Sequence, residues 1–259
     1  IRGGDLDLVE YDFSSFYPGE CLHTADIPLE HEPYPTGYTI TARAPARIHL
    51  SVLDMNRFSP GTPGGGGLGF AIQIYCDATV SCTDRDVIID SPRRLLIEHL
   101  VAAFKTVTCY SGGFVIKAAD HGHEHVGLGS TSTIATAIVT AMNEATGCPL
   151  RTENVRMLIG HNYVEETEDD GKIAFGFETG VGSAASIYGG MTFVGDRLTR
   201  ICNHPFAEGK NVFIVIPKVH HEDNNAGPEE FTLLMNMART LDYRDRELKA
   251  YLLMMDMIP

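Results

Sequence analysis

The sequence is poor in basic residues. It has 20 Lys and Arg against 34 Asp and Glu among 259 residues, which gives a formal net charge of −14 at pH 7. A surface of that sign repels a polyphosphate backbone, so a nucleic-acid partner is not expected. No apolar run approaches the roughly 18 residues that a membrane-spanning helix needs. We therefore expect a soluble, cytoplasmic protein without an export leader or a membrane partner.

Cysteine is also sparse, with six residues in the whole chain. No two of them have Cys-x-x-Cys spacing, and they are too few for a disulfide scaffold, so we expect reduced thiols. Internal repeats and low-complexity tracts are absent as well. What is plentiful is apolar side chains, 44% of the residues, which is enough for one large domain or two closely packed ones.

The apolar patterns predict an α+β fold, with strands first and helices interleaved later. Residues 1–37 are acidic and without a regular period, which indicates an extension packed along a domain. We expect a first domain over 38–210 and a second that begins at 211 and is incomplete at 259. The predicted strands are 38–44, 47–52, 70–75, 78–82, 87–89, 113–116, 191–194 and 212–216, the first two separated by a turn at Pro45. The predicted helices are 95–104, 134–145, 155–162, 229–240 and 244–257.

The strongest local signal is Val126-Gly127-Leu128-Gly129-Ser130-Thr131-Ser132-Thr133, directly before an apolar helix. Glycines let backbone N–H groups approach an anion, and a helix N-terminus adds free donors and a positive dipole. Four hydroxyls follow, so the segment predicts a phosphate site. The alternative is an ordinary Ser N-cap after a tight turn. The pattern is neither a P-loop with Gly-Lys-Ser/Thr nor Gly-x-Gly-x-x-Gly.

Three more segments stand in a fixed order around this loop. They are Ala44-Pro45-Ala46-Arg47-Ile48-His49-Leu50, Pro63-Gly64-Gly65-Gly66-Gly67-Leu68-Gly69-Phe70 and Thr179-Gly180-Val181-Gly182-Ser183-Ala184. The ordered set, over residues 40–217, resembles the GHMP kinase superfamily. That resemblance implies a ribosomal-S5-like first domain, a nucleotide or diphosphate at the Gly–Ser helix start, and a ferredoxin-like domain beginning near Asn211.

The third segment separates kinases from other members. In the superfamily's kinases it resembles Pro-Ser-Gly-Val-Asp-Asn-Ala, whose Asp acts near the acceptor hydroxyl, and that Asp falls on Gly182 here. Glycine cannot accept a proton, and neither Glu178 nor Asp196 is expected to be placed to replace the missing acid. The segment is more similar to the Ser-Gly-Ile-Gly-x-Ala of β-ribofuranosylaminobenzene 5′-phosphate synthases and related C-nucleoside synthases.

Those synthases join phosphoribosyl pyrophosphate (PRPP) to an aromatic or heteroaromatic carboxylate, with loss of CO2 and pyrophosphate. The resemblance therefore implies a glycosyltransferase, a PRPP-dependent C-riboside synthase, with PRPP and an aryl carboxylate as its small-molecule partners. Two alternatives stay open: an ATP-dependent small-molecule kinase of the same fold, and a non-catalytic anion-binding protein. Met-rich helices in an incomplete second domain favour a homodimer.

The resemblance also implies roles for individual residues. Mg²⁺ would bridge the diphosphate, with Ser130 and Glu165 as tentative ligands. Arg47 would meet a phosphate or a carboxylate, although a surface ion pair at a strand edge is an equal alternative. The phosphate would be held by Gly127, Gly129, Ser130, Thr131, Ser132, Thr133 and Arg47. The reacting centre would be lined by His49, Asp54, Thr179, Gly180 and Gly182, and the substrate would also contact Asn56, Gly66, Gly67 and Glu178.

Two charged clusters could suggest metal sites, but a structural interpretation is favoured for both. His121, His123 and His125 alternate and would share one face of a strand near the phosphate site, with a zinc site as the less favoured hypothesis. The acidic run 165–170 is typical of a solvated helix end, and a Mg²⁺ ligand within it is the minority interpretation.

Overall fold

A computed structural model describes residues 14–24, 26–123, 126–167, 169–216, 245 and 247–257. Its elements are β1 (Ile40–Val52), β2 (Gly67–Thr83), β3 (Val87–Ile88), α1 (Arg94–Thr108), β4 (Gly113–Ala119), α2 (Ser130–Ala145), α3 (Thr152–His161), β5 (Val164–Glu166), β6 (Ile173–Phe175), α4 (Val181–Tyr188), β7 (Met191–Val194) and β8 (Arg200–His204). Helical residues 247–252 then lead into a π-helical turn, Leu253–Met257. Mostly antiparallel strands with interleaved helices confirm the predicted α+β class.

The main sheet has six strands and is built around the 17-residue strand β2. Strand β1 pairs with β2 along one side. The other side is shared, because β7 pairs with the first residues of β2 and β4 pairs with its last seven, Asp77 to Thr83. Strands β3 and β8 lie at the outer edges, and β5 and β6 form a separate two-stranded sheet. The start and the end of β2 therefore face different neighbours.

Helix α2 lies in the centre of the domain. Only Thr140 and Glu144 among its 16 residues are not buried. The helix packs against β1 and β2 on one side and against α1, α3 and α4 on the others. Its many Ala, Ser and Thr residues allow close packing all round, as is typical of a buried helix. These contacts on all sides fix the position of the α2 N-terminus.

The described part of the N-terminal segment, 14–24 and 26–37, runs along this domain. Phe16 forms a β-bridge with Ile173. Farther on, the Glu30 N–H donates to the Pro149 carbonyl at 2.9 Å and the Tyr34 N–H donates to the Thr146 carbonyl at 3.1 Å. These contacts, with Phe16 and Ile27 in the main hydrophobic core, pack the segment against the body of the fold.

Several predicted strand boundaries are wrong. Strand β1 is continuous from Ile40 to Val52, and Pro45 produces a shift in its pairing with β2 instead of a turn. A register irregularity can accommodate a proline without ending the strand. The strands predicted at 70–75 and 78–82 are likewise one strand, β2. No strand forms over 212–216.

Other elements differ from the prediction in position. Helix α2 begins at Ser130, four residues before the predicted start, and β5, β6, β8 and α4 were not predicted. His121 and His123 follow β4 in a loop, so the predicted histidine-bearing strand is wrong, and His125 lies outside the described residues. The helix predicted over 229–240 also lies outside them. In the part of the chain that is described, no helix is long and apolar enough to span a membrane.

Candidate functional site

The Gly127–Gly129 loop is fastened to strand β1. The Arg47 N–H donates to the Leu128 carbonyl at 3.1 Å, and its Nη1 donates to the Gly127 carbonyl at 2.8 Å. Gly129 has a φ of 72°, and a Cβ there would lie 2.7 Å from the Arg47 Cζ. Glycine is therefore required at this position by its backbone angle and by the approach of the guanidinium.

Arg47 is a partly buried cation at the start of α2. Burial lowers the pKa of its guanidinium, and the charge of Glu178 opposes that shift. Its Nε atom is fully buried and has no hydrogen-bond partner among the described residues. The guanidinium is desolvated and donates to a backbone carbonyl, which is not the environment of an exposed surface ion pair, and the phosphate contact of Arg47 stays a prediction.

A second cation at this helix start, Arg93, was missed by the sequence reasoning. Its Nη1 donates to Thr131 Oγ1 and its Nη2 donates to Ser130 Oγ, both at 2.8 Å. Its Nε donates to Asp120 at 3.3 Å. Arg93 has a φ of 52°, a left-handed conformation that non-glycine residues rarely adopt outside constrained sites. No local motif marks it, since it precedes Ser130 by 37 positions.

The four predicted hydroxyls all have partners. Ser130 and Thr131 accept from Arg93, and Thr131 also donates to Glu165 Oε2 at 3.0 Å. Ser132 donates to a carboxylate described below, and Thr133 donates back to the Gly129 carbonyl at 2.8 Å. Gly129 offers no side chain to cap α2. The backbone N–H groups of the first turn are therefore the donors best suited to an anion.

Glu165 lies on strand β5, so the predicted solvated helix end is wrong. Its Oε1 accepts from the Tyr163 hydroxyl at 2.5 Å, and its Oε2 lies 3.5 Å from Arg93 Nη1. The structure thus brings Glu165 and Ser130, the two predicted Mg²⁺ ligands, to the same guanidinium. Their oxygen atoms suit Mg²⁺, which would compete with Arg93 for both.

Gly182 and Glu178 form the contact between α4 and α2. A Cβ on Gly182 would lie 2.5 Å from Ser132 Oγ and 3.7 Å from Glu178 Oε2. Glu178 Oε2 accepts from Ser132 Oγ at 3.2 Å, and Oε1 accepts from the Gly180 N–H at 2.5 Å. Glu178 therefore lies closer to Gly182 than the sequence leads us to expect, and a role in place of the missing acid remains a proposal. A side chain at residue 182 would meet Ser132 first, and the Glu178 carboxylate lies next to that contact.

Glu178 is buried, with 4% of its surface exposed. Burial raises the pKa of its carboxyl, while the hydrogen bond from the Gly180 N–H and the charge of Arg47 act in the opposite direction. A carboxyl with a raised pKa is a stronger proton acceptor once it is ionised. The sequence predicts only a substrate contact for Glu178.

His49, two residues after Arg47 on β1, packs over Gly67. Its Nε2 lies 3.2 Å from the Ser51 carbonyl, and a Cβ on Gly67 would lie 2.8 Å from that nitrogen. Burial, and then the charge of Arg47, lower the pKa of His49 to about 4. The imidazole is therefore neutral near pH 7, when it can donate one hydrogen bond and accept another.

Asp54 and Asn56 form hydrogen bonds with each other within one loop. Asp54 Oδ1 accepts from the Asn56 N–H at 3.0 Å, and its other oxygen lies 3.7 Å from Arg57 Nε. Asp196, which the sequence reasoning set aside, also contributes, because its Oδ1 accepts from the Gly65 N–H at 3.0 Å. The substrate contacts predicted for Asp54 and Asn56 remain predictions.

The glycine-rich loop is joined to Glu178 through the backbone. The Gly64 N–H donates to the Glu178 carbonyl at 3.0 Å, and a Cβ on Gly66 would overlap the Val194 carbonyl. Gly66 is thus required for packing on β7. Thr179 Oγ1 accepts from the Val181 N–H at 3.4 Å at the start of α4.

A cleft of about 440 Å³ adjoins the segment that carries Arg93. It is lined by Ile88, Asp90, Ser91, Pro92 and Arg94. Cavities of this size accommodate small organic molecules.

A curated protein is similar to this chain. Beta-ribofuranosylphenol 5′-phosphate synthase from Archaeoglobus fulgidus is 25% identical over 158 residues, 61% of this chain. That relative is a 5′-phosphate synthase, the kind of enzyme that residues 179–184 resemble. The chain spans 45% of the length of that synthase. No protein-family model matches the chain.

Several solved structures are similar to part of this chain. A mevalonate diphosphate decarboxylase from Legionella pneumophila gives a TM-score of 0.46 at 12% identity, covering 82% of this chain and 69% of its own. A D-glycero-D-manno-heptose 1-phosphate kinase from Bacteroides thetaiotaomicron gives 0.45 at 21% identity, covering 60% and 55%. The mevalonate kinase of Methanococcus jannaschii gives 0.44 at 11% identity, covering 62% and 55%.

Proposed function

We propose that this chain carries the active site of a PRPP-dependent C-riboside synthase, which couples PRPP to an aromatic carboxylate and releases CO2 and pyrophosphate. The observation that carries the proposal is the pair of arginines, Arg47 and Arg93, at the N-terminus of α2, the helix whose Ser132 packs against Gly182. The similarity to a β-ribofuranosylphenol 5′-phosphate synthase supports it.

The first step separates pyrophosphate from C1 of the ribose. Negative charge grows on the leaving oxygens while the sugar becomes cationic, so catalysis depends on positioning and on neutralising the diphosphate. The N–H groups of the first turn of α2 and the guanidinium of Arg47 face that charge. Arg93 fixes the hydroxyls of Ser130 and Thr131 and adds positive charge behind them. Mg²⁺ bound to the diphosphate would be held by Glu165 and Ser130.

In the second step the ring carbon that bears the carboxylate bonds to C1 of the ribose. The relative's name specifies a phenol, and an acceptor hydroxyl para to the carboxylate donates more electron density once it loses its proton. In this proposal Glu178 takes that proton. When the carbon–carboxylate bond breaks, CO2 leaves, the ring regains aromaticity, and the proton returns from Glu178 to the phenolate oxygen. The absent side chain of Gly182 lets Ser132 pack against α4, where its hydroxyl donates to the Glu178 carboxylate.

The second candidate is an ATP-dependent small-molecule kinase. One observation favours it: the Glu178 carboxylate lies beside Gly182, where the superfamily's kinases carry their acid. In a kinase Glu178 would orient or deprotonate the acceptor hydroxyl, and the α2 N-terminus would hold the ATP phosphates.

Assaying both reactions on one protein preparation separates the candidates. With Mg²⁺ and PRPP, a panel of hydroxylated and heteroaromatic carboxylates should release pyrophosphate with at least one acceptor. In parallel, ATP with sugar and isoprenoid alcohols should give no ADP above background. ADP formation without pyrophosphate release from PRPP would select the kinase, and ligand binding without turnover of either substrate would indicate a non-catalytic anion-binding protein.

A further inference from the structure

A buried cysteine, aspartate and histidine meet behind the phosphate loop. One ligand atom from each of Cys76, Asp120 and His121 lies within 4.8 Å of the others. Cys76 on β2 is fully buried, and the side chains of Asp120 and His121 are 7% and 1% exposed. These three residues are separate from every residue assigned above to phosphate or substrate.

The pairing of β2 with β4 brings them together. Asp77 on β2 is opposite Ala119, the last residue of β4, so the next pair along the ladder is Cys76 and Asp120. Side chains alternate along β2, and Cys76 shares the buried face with Ala78 and Val80. The cluster is thus formed by the central sheet, which fixes its geometry.

The distances match the spacing of ligands around one metal ion. Cys76 Sγ lies 3.6 Å from Asp120 Oδ1, and His121 Nδ1 lies 3.4 Å from the same oxygen. Around tetrahedral zinc, with bonds of about 2.3 Å to sulfur and about 2.0 Å to nitrogen and oxygen, these separations would be about 3.5 and 3.3 Å. The third pair of ligand atoms, Cys76 Sγ and His121 Nδ1, also lies within 4.8 Å.

We propose that Cys76, Asp120 and His121 bind a zinc ion. A thiolate, an imidazole and a carboxylate together select zinc over Mg²⁺ or Ca²⁺, which prefer all-oxygen sites. On binding, the Cys76 S–H bond is replaced by an S–Zn bond and the proton passes to solvent. At His121 the ion takes the Nδ1 lone pair, which now accepts from the His123 N–H at 3.1 Å. Three protein ligands leave a fourth position for water.

The zinc site would be linked to the phosphate loop through Asp120. Its Oδ1 faces the cluster, while its Oδ2 accepts from Arg93 Nε at 3.3 Å. Arg93 in turn holds Ser130 and Thr131. With Zn²⁺, a thiolate, a carboxylate and a guanidinium, the assembly carries one net positive charge next to an anion site. Zinc would therefore support the position of Arg93 without contacting substrate.

The test uses the untagged full chain, stripped with a chelator and dialysed against Zn²⁺ or Co²⁺. We expect one equivalent of Zn²⁺ by elemental analysis and a thiolate-to-cobalt charge-transfer band with Co²⁺. Cys76→Ala and His121→Gln should each abolish the band and weaken zinc binding by more than about 100-fold. Cys82→Ala, which removes another thiol of β2, should leave both unchanged.

Circular dichroism shows whether each variant is folded. If Cys76→Ala does not fold, His121→Gln and Asp120→Asn still test the site, because both lie at the end of β4 and keep hydrogen-bonding capacity. The proposal is overturned if the folded wild type gives no thiolate–cobalt band, or if the variants retain the zinc of the wild type. Neither result bears on the PRPP reaction, because zinc content and the cobalt spectrum are measured without substrate.

Discussion

Gly182 of α4 packs directly on Ser132 of α2, and a Cβ on Gly182 would lie 2.5 Å from the Ser132 hydroxyl oxygen. The N-termini of two helices thus meet at a position where only a hydrogen fits. The carboxylate of Glu178 accepts hydrogen bonds from both helix starts, from Ser132 and from the Gly180 N–H. Helix N-termini stabilise negative charge, which explains how a buried carboxylate is tolerated there.

Gly182→Ala should destabilise the protein by about 1–3 kcal/mol, because the new methyl group must displace Ser132 at a buried helix contact. Thermal or urea unfolding measures the change. Gly122→Ala is the control, since its Cβ would meet nothing within 4 Å and only its φ of 74° opposes the substitution. Gly182 lies inside α4 and has no left-handed φ, so only the contact with Ser132 opposes its substitution, and a Gly182→Ala variant as stable as the wild type would contradict that contact.

Glu178→Gln should lower turnover by roughly 100-fold or more, because the amide cannot take up a proton. In the wild type, activity should rise with pH through the raised pKa of Glu178, and the variant should lose that rise. A pH–rate profile of both proteins measures this. A variant with wild-type turnover and the same profile would remove Glu178 from the chemistry.

Glu178→Gln, which should lower turnover, should not lower the stability of the protein. A carboxyl whose pKa is raised on folding reduces stability as pH increases from its unfolded pKa through its folded pKa. Glu178→Gln removes that loss and can still accept from Gly180 and donate to Ser132. We therefore expect the variant to be at least as stable as the wild type at pH 8, as measured by urea unfolding at pH 5 and pH 8. A large loss of stability at pH 8 would contradict the raised pKa.

Arg47→Met should weaken pyrophosphate binding by roughly 10- to 100-fold, the usual effect of losing a charged hydrogen bond. Arg43→Met is the matched control, because Arg43 lies on the same strand and forms an exposed ion pair with Asp77 at 2.7 Å. Titration calorimetry with magnesium pyrophosphate compares the two. Equal affinities in both variants would place the anion away from Arg47.

His49 should make the protein sensitive to acid. A histidine whose pKa falls on folding, here to about 4, reduces stability as pH drops below the unfolded value near 6.5. His49→Gln should therefore flatten the decline in unfolding free energy between pH 6.5 and 4. His204→Gln, at an exposed histidine of β8, should not change it. Part of the decline should remain in His49→Gln, because burial also lowers the pKa of His99 to about 4. An unchanged pH dependence in His49→Gln would contradict the burial of that ring.

The sequence predicted what depends on local pattern. The Gly127–Gly129 loop before a buried helix, the α+β class and the strand at 191–194 follow from glycine chemistry and apolar period. Neither Arg93 nor the placement of Glu178 beside Ser132 could be found in this way. Arg93 reaches Ser130 across 37 positions, and Glu178 reaches Ser132 across 46, through strand pairing and helix contacts that no local signal contains. The sequence also predicted two strands separated at Pro45 where the structure has one, β1. Pairing with β2 on both sides of Pro45 outweighs the proline's tendency to end a strand.

The most direct test of the proposed reaction is the simultaneous release of pyrophosphate and labelled CO2 from PRPP and a carboxyl-labelled hydroxybenzoate, with Mg²⁺ and with Glu178→Gln as the comparison. The proposal predicts the two products in a one-to-one ratio from the wild type and a loss of both from the variant. ADP from ATP, with neither pyrophosphate nor CO2 from PRPP and any aryl carboxylate of the panel, would contradict it.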